Sequence, residues 1–256
     1  MFTKHFWSLV TTKVTLNLKA EASKSYLSYL WWLLEPALFV AVLYVVFGIF
    51  LAKGTPNFVV FLMCGQIPFL WFARTLSNSC SSIEQGAGLM TQLRIDKLFF
   101  PMVTILQDFI KSICVFVLLI VFVYMYLQSP SIHWLALPLI VLTQLIFVSA
   151  ISLLCAMIIP FIPDLRFLVT TSIQLMMFGS GIFYSYQDVI LPEHQDLFLA
   201  NPLANLITQY RNVLMHNQYP DWISLGIIAG LSLLVFFSLV FVLRKIDGVY
   251  PRLVIQ

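Results

Sequence analysis

The sequence predicts an all-α integral membrane fold. It comprises six transmembrane helices, an N-terminal amphipathic helix in the membrane interface and two short re-entrant external helices before the last span. Composition carries the class. Of 256 residues, 61% are hydrophobic and only 10% are charged, with a mean hydropathy of +0.94, whereas an average soluble domain is about 25% charged. So few charges cannot cover a water-facing surface, and disorder is excluded because it needs low hydrophobicity and high charge. The cation distribution carries the span count. Lys4, Lys13, Lys19, Lys24, Arg94, Lys97, Arg166, Arg244, Lys245 and Arg252 fall on one side of a six-span arrangement, and Lys53 and Arg211 on the other. The positive-inside rule then places both termini in the cytoplasm, as an even number of spans requires. Six spans of roughly 20 residues use about half the chain, so residues 1–256 read as one transmembrane domain without space for a soluble one.

Residues 1–28 alternate lysines with Phe2, Phe6, Leu9, Val10 and Val14 at helical spacing, the pattern of a helix lying in the interface; a loose cytoplasmic tail is the alternative. Apolar runs predict spans over 30–51, 58–80, 105–127, 134–160, 167–186 and 222–243. No cleavable signal sequence is expected, because the first long apolar run starts only near Leu30 and carries Glu35 and Pro36. The connections 52–57 and 128–133 read as tight external turns. Residues 84–98, with Glu84, Arg94, Asp96 and Lys97 among apolar positions, read as a short amphipathic helix across the cytoplasmic face or as a solvated loop. The long external stretch 187–221 has a helical apolar rhythm broken at Asn201-Pro202, because proline disfavours helical geometry in the residue before it. Two short helices over 187–213 that dip back towards the membrane fit this pattern, as does an ordinary surface loop. Irregular segments are tolerated at membrane depth where protein or a water-filled cavity covers them.

Little in the chain supports catalysis. There is no G-x-x-x-x-G-K-[ST] phosphate loop, H-E-x-x-H or G-x-S-x-G, and His5, His133, His194 and His216 are far apart. Cys64, Cys80, Cys114 and Cys155 occur singly, as packing residues rather than a zinc or disulfide framework. Transport or a scaffold role is therefore the default. Two stretches stand out. Glu35 lies about one turn inside the first apolar run, where a carboxylate is costly and usually faces a bundle interior or cavity. Tyr29, Trp32, Phe39, Phe47 and Phe50 fall on one arc of that helix with Glu35 at its edge. They form either a strip of flat platforms for sugar rings or helix packing with an interfacial aromatic belt. In span two Arg74 needs a partner, and Glu35 and Asp108 are the acids available. A structural ion pair and a role at the substrate's point of access both stay open for it.

The run Trp31-Trp32-Leu33-Leu34-Glu35-Pro36 after a basic interfacial segment resembles the membrane subunit of ABC-2-type exporters, most closely the O-antigen and capsular polysaccharide permeases. The run Arg94-Ile95-Asp96-Lys97-Leu98-Phe99-Phe100-Pro101 is similar to that family's cytoplasmic loop before span three. The resemblance implies a homodimer working with two copies of a separate ABC ATPase subunit that binds ATP and Mg, so this chain holds no cofactor and no metal. It implies a bacterial inner-membrane location and a polyprenyl-diphosphate-linked polysaccharide as cargo, with membrane lipid around the protein and no nucleic acid. Glu84, Arg94, Asp96 and Lys97 would meet the ATPase. Tyr29, Trp32, Glu35, Phe39, Phe47, Phe50 and Arg74 would lie on the substrate path, and the helices over 187–213 would flank the exit. Arg74, Lys111 and the N-terminal lysines are the cations placed for a diphosphate. A permease for a drug, a small lipid or a teichoic-acid-type polymer, a membrane enzyme acting on lipid-linked substrates and a non-transporting scaffold are the other readings.

Overall fold

A computed structural model describes residues 4–23, 30–50, 57–92, 95–127, 131–189, 191–246, 248 and 250. Among them every regular element is helical: α1 (Lys4–Ser23), α2 (Trp31–Leu43) continued by a π-helical stretch (Tyr44–Phe50), α3 (Phe58–Ser79), α4 (Ser82–Gln85), α5 (Ala87–Gln92) and α6 (Phe99–Leu127). A 3₁₀ turn (Ile132–Ala136) leads into α7 (Leu137–Ile158), followed by α8 (Leu165–Gly179), α9 (Tyr186–Val189), α10 (Pro192–Leu199), α11 (Pro202–Leu214) and α12 (Trp222–Lys245). Four of these, α3, α6, α7 with its 3₁₀ turn, and α12, are long and apolar enough to cross a bilayer.

α3 is the central rod, buried along most of its length between α6, α7 and α11. Its interior Pro68 leaves the Cys64 carbonyl without its helical N–H donor, and one turn on the fully buried Gln144 of α7 donates Nε2 to the Pro68 carbonyl at 2.8 Å. Tyr210 of α11 donates its hydroxyl to Gln144 Oε1 at 2.8 Å. Its ring stacks on Phe116 (5.6 Å), which meets Trp71 edge-on (5.8 Å), and Phe72 stacks on Phe147 nearby. One apolar cluster thus joins α3, α6, α7 and α11. A second gathers Val10 and Val14 of α1 with Ile83, Leu98, Phe100, Leu153 and Leu243, sealing the end of the bundle where α1 packs.

Three elements differ from the sequence expectation. Span three begins at Phe99 rather than 105, because Pro101 sits in the first turn, where its missing N–H is no loss. Span five stops at Gly179 rather than 186. Gly181 takes φ +67°, a left-handed conformation that suits glycine and ends helices. Fifteen residues rise only about 22 Å, short of the ~30 Å apolar core. The expected amphipathic helix over 84–98 is two short helices, α4 and α5, jointed at Gly86, because a Cβ there would lie 2.2 Å from the Phe100 ring. The stretch between α8 and α12 holds the two helices that the break at Asn201-Pro202 implies, α10 and α11. Asn201 caps α11 by accepting from the Leu203 N–H at 3.0 Å, and ten of the thirteen residues of α11 are buried, so this part is no surface loop.

Candidate functional site

The site starts from two parallel rungs. Asn17 and Glu21 stand one turn apart on α1, as do Gln107 and Lys111 on α6. Asn17 donates to Gln107 Oε1 at 3.0 Å, Gln107 donates to Glu21 at 3.1 Å, and Lys111 Nζ donates to Glu21 at 2.7 Å. The last turns of α1 are thereby tied alongside α6. Lys111 also sits 5.6 Å over the Trp32 ring and 4.0 Å from Asp108, a cation–π geometry with a carboxylate behind it.

Arg74 comes from α3, where the polar run Arg74-Thr75-Leu76-Ser77-Asn78 turns one face towards α2 and α6. Of the two acids within reach it takes Glu35, with Nη2 donating to Oε2 at 2.6 Å, while Asn78 donates to Asp108 at 2.9 Å. Glu21, Trp31, Trp32, Glu35, Arg74, Asn78 and Lys111 enclose a cavity of about 350 Å³. Two cations face two carboxylates there, with the buried Asp108 behind Lys111, so an anionic ligand can enter only by taking a cation from its acid. Glu21 and Glu35 are exposed while Arg74 and Lys111 are more deeply held; the acids can swing into solvent and leave the cations in place.

Of the residues named for the substrate path, the structure brings Trp32, Glu35 and Arg74 together. Phe39 and Phe50 are exposed outside this cavity, Phe50 to 76%. Tyr29 and the Phe47 side chain lie outside the described residues, as does Arg94 of the coupling set. Glu84 is paired with Arg166 at the start of α8 at 2.6 Å. Asp96 accepts from the Leu98 N–H at 3.0 Å and faces Arg244 at 3.7 Å. Lys97 is buried and donates to the Ile95 carbonyl at 2.9 Å, so of the coupling charges only Glu84 and Asp96 are described at the surface.

Two contributors escaped the sequence reading. Glu21 stands alone among the lysines of α1, and only the reach of Lys111 gives it a role. Arg211, counted among the outside cations, is 7% exposed. It donates to the carbonyls of Gly181 (2.7 Å), Ile182 (2.9 Å) and Phe61 (3.3 Å), with its guanidinium 3.5 Å from the Phe61 ring centre. The apolar rhythm around it, Leu206, Ile207, Tyr210 and Val213, was the available signal that this helix is covered.

The O-antigen export system permease protein RfbA of Klebsiella pneumoniae is 28% identical over 233 residues, covering 90% of each chain. The chain is thus similar to O-antigen export permeases. The RfbA permease protein of Myxococcus xanthus is 27% identical over 231 residues, covering 90% of this chain and 89% of its own. The polysialic acid transport protein KpsM of Escherichia coli is 25% identical over 224 residues, covering 86% of each. No family model matches the chain. The similarity to these export permeases agrees with the resemblance carried by Trp31–Pro36 and extends it to nine-tenths of the length.

Proposed function

We propose that this chain is the membrane-spanning permease subunit of an ATP-driven ABC-2-type exporter that moves a lipid-linked polysaccharide across the bacterial inner membrane. The observation that carries the reading is similarity over 86–90% of the chain to two kinds of polysaccharide-export protein. The six crossings are the four long helices, α2 with its π-helical extension, and the short α8, with both termini in the cytoplasm. The site then lies at the cytoplasmic leaflet, where a polyprenyl diphosphate would displace Glu35 from Arg74 and Glu21 from Lys111. Trp31 and Trp32 offer aromatic faces to the first sugars. The cavity takes a headgroup and not a polymer, in keeping with cargo that must keep moving.

A second copy is part of the proposal. No residue of α8 is buried within the protomer, and its Thr170, Thr171 and Gln174 lie among exposed Phe167, Leu175 and Phe178. Polar residues in a span usually face a bundle interior or an aqueous cavity, which a homodimer provides. ATP closure of the two partner subunits would push on α4 and α5, and the Glu84–Arg166 pair joins that segment to α8.

The test compares R74A, R74K and E35Q at equal protein levels in cells carrying the cognate ATPase. Losing a charge-assisted phosphate contact is worth about 1.5–3 kcal/mol, so R74A lowers surface glycan by about tenfold or more. R74K recovers part of it, and E35Q exports at or above the wild-type level because Arg74 is freed. Equal losses in R74A and E35Q would make the pair structural and remove the headgroup role; wild-type export by R74A would do the same. A tagged chain that fails to bring down an ATPase at one-to-one ratio in mild detergent would refute the exporter reading itself.

A further inference from the structure

A second, larger cavity of about 690 Å³ lies at the other end of the bundle between α7, α11 and α12, away from the Arg74 site. Its floor follows α12 through Asp221, Ser224, Ile228, Leu231 and Val235, one residue per turn. Fourteen residues at 1.5 Å each make a groove of about 21 Å, more than one leaflet of a ~30 Å core. The groove is graded. Its upper end carries Asp196, Asn212 and Asp221, its lower end Phe147, Ile151 and Val235, and among the described residues no Lys or Arg lines it. The Ser224 hydroxyl and the Ile223 N–H donate to Asp221, holding its carboxyl below the usual carboxylate range.

Along the floor Ser232 is 7% exposed and opens into the cavity, and it makes no hydrogen bond among the described residues. Its hydroxyl opens to the cavity rather than to the packed interior, so an acceptor on an occupant can reach it.

We propose that this groove holds one phospholipid of the outer leaflet, selected for an ammonium-bearing headgroup. The ammonium lies between Asp196 and Asp221, the Asn212 amide meets the phosphate, and an acyl chain runs down α12 past Ser232, whose hydroxyl can donate to an ester carbonyl. Two carboxylates with no cation repel a purely anionic headgroup, and a free sugar has no use for an apolar floor this long. The inference rests on the membrane reading alone and not on export, so it can fail without touching the proposed function.

The test is native mass spectrometry of the full-length chain, purified without the ATPase in mild detergent with equal amounts of phosphatidylethanolamine and phosphatidylglycerol. Partly exposed ion pairs are worth up to about 1 kcal/mol, so phosphatidylethanolamine is retained about fivefold over phosphatidylglycerol. In D196N/D221N, where asparagine still caps α12, the preference falls to parity. L231W, which fills the groove, loses both lipids. Equal retention by the wild type, an undiminished preference in D196N/D221N, or wild-type retention by L231W would overturn the proposal. So would displacement of the lipid by a soluble oligosaccharide, which would make the groove a glycan site.

Discussion

Replacing Arg211 by methionine tests whether one buried guanidinium pins α11 to the turn that ends α8. Its bonds to Gly181 and Ile182, at 2.7 and 2.9 Å, are the strong ones, and that to Phe61, at 3.3 Å, is weaker. Hydrogen bonds to a charged group contribute about 1.5–3 kcal/mol each, so the two short ones set a gross loss of about 3–6 kcal/mol. Relief of the cation's own desolvation offsets part of this, and the net destabilisation is about 3–4 kcal/mol. At about 2–4 °C per kcal/mol for a chain near this size, the thermal midpoint in detergent drops by about 10 °C. Gly65 supplies an independent handle on the same contact. A Cβ added there would meet Arg211 Nη2 at 2.8 Å and the Ile182 Cα at 3.3 Å. Overpacking of this kind costs about 1–3 kcal/mol, reduced by about 1 kcal/mol for alanine's better helix propensity. In the R211M background the closer clash is gone, so G65A/R211M is more stable than the sum of the single changes by about 1 kcal/mol, a coupling that a double-mutant cycle resolves. Loss of less than about 1 kcal/mol in R211M, or strict additivity in the cycle, would refute the pin.

Two further outcomes follow from the connection between α3 and α6. Charge reversal in E84R or R166E places like charges where the 2.6 Å pair stood; a half-exposed pair adds at most about 1 kcal/mol to stability, so protein level stays near wild type while glycan export falls, and E84R/R166E recovers it. A double variant no better than the singles would remove this pair from the coupling path. G86A drives its Cβ to within 2.2–2.7 Å of three Phe100 ring atoms, a ring held edge-on against Phe99 at 5.4 Å; thermal stability falls by about 1–3 kcal/mol, F100L restores part of it, and an unchanged midpoint in G86A would show that the joint yields.

Class, most span positions and the break at Asn201-Pro202 could be read from composition and apolar runs. Burial in lipid and burial in protein impose the same apolar alphabet, and proline acts through its own ring and the residue before it. The length of α8 could not be read that way. Apolar character continues to Phe183 and Tyr184, and only the turn at Gly181, with its carbonyls claimed by an arginine thirty residues later, ends the helix at Gly179. The site divides along the same line. Glu35 and Arg74 stand out in sequence because a charge in an apolar run must have a partner. That Arg74 takes Glu35 while Asp108 goes to Asn78 is a matter of reach across three helices. Glu21 acquires its role only because the end of α1 lies alongside α6. Arg211 shows the limit most sharply: its sequence setting counts it as an outside charge, and three carbonyls from two distant segments make it part of the core. Local patterning thus determined which segments are helical and apolar, because those forces act within a few residues. The pairings of charges and the graded groove along α12 were decided by the packing of helices, since they depend on distances between residues that the chain order leaves far apart.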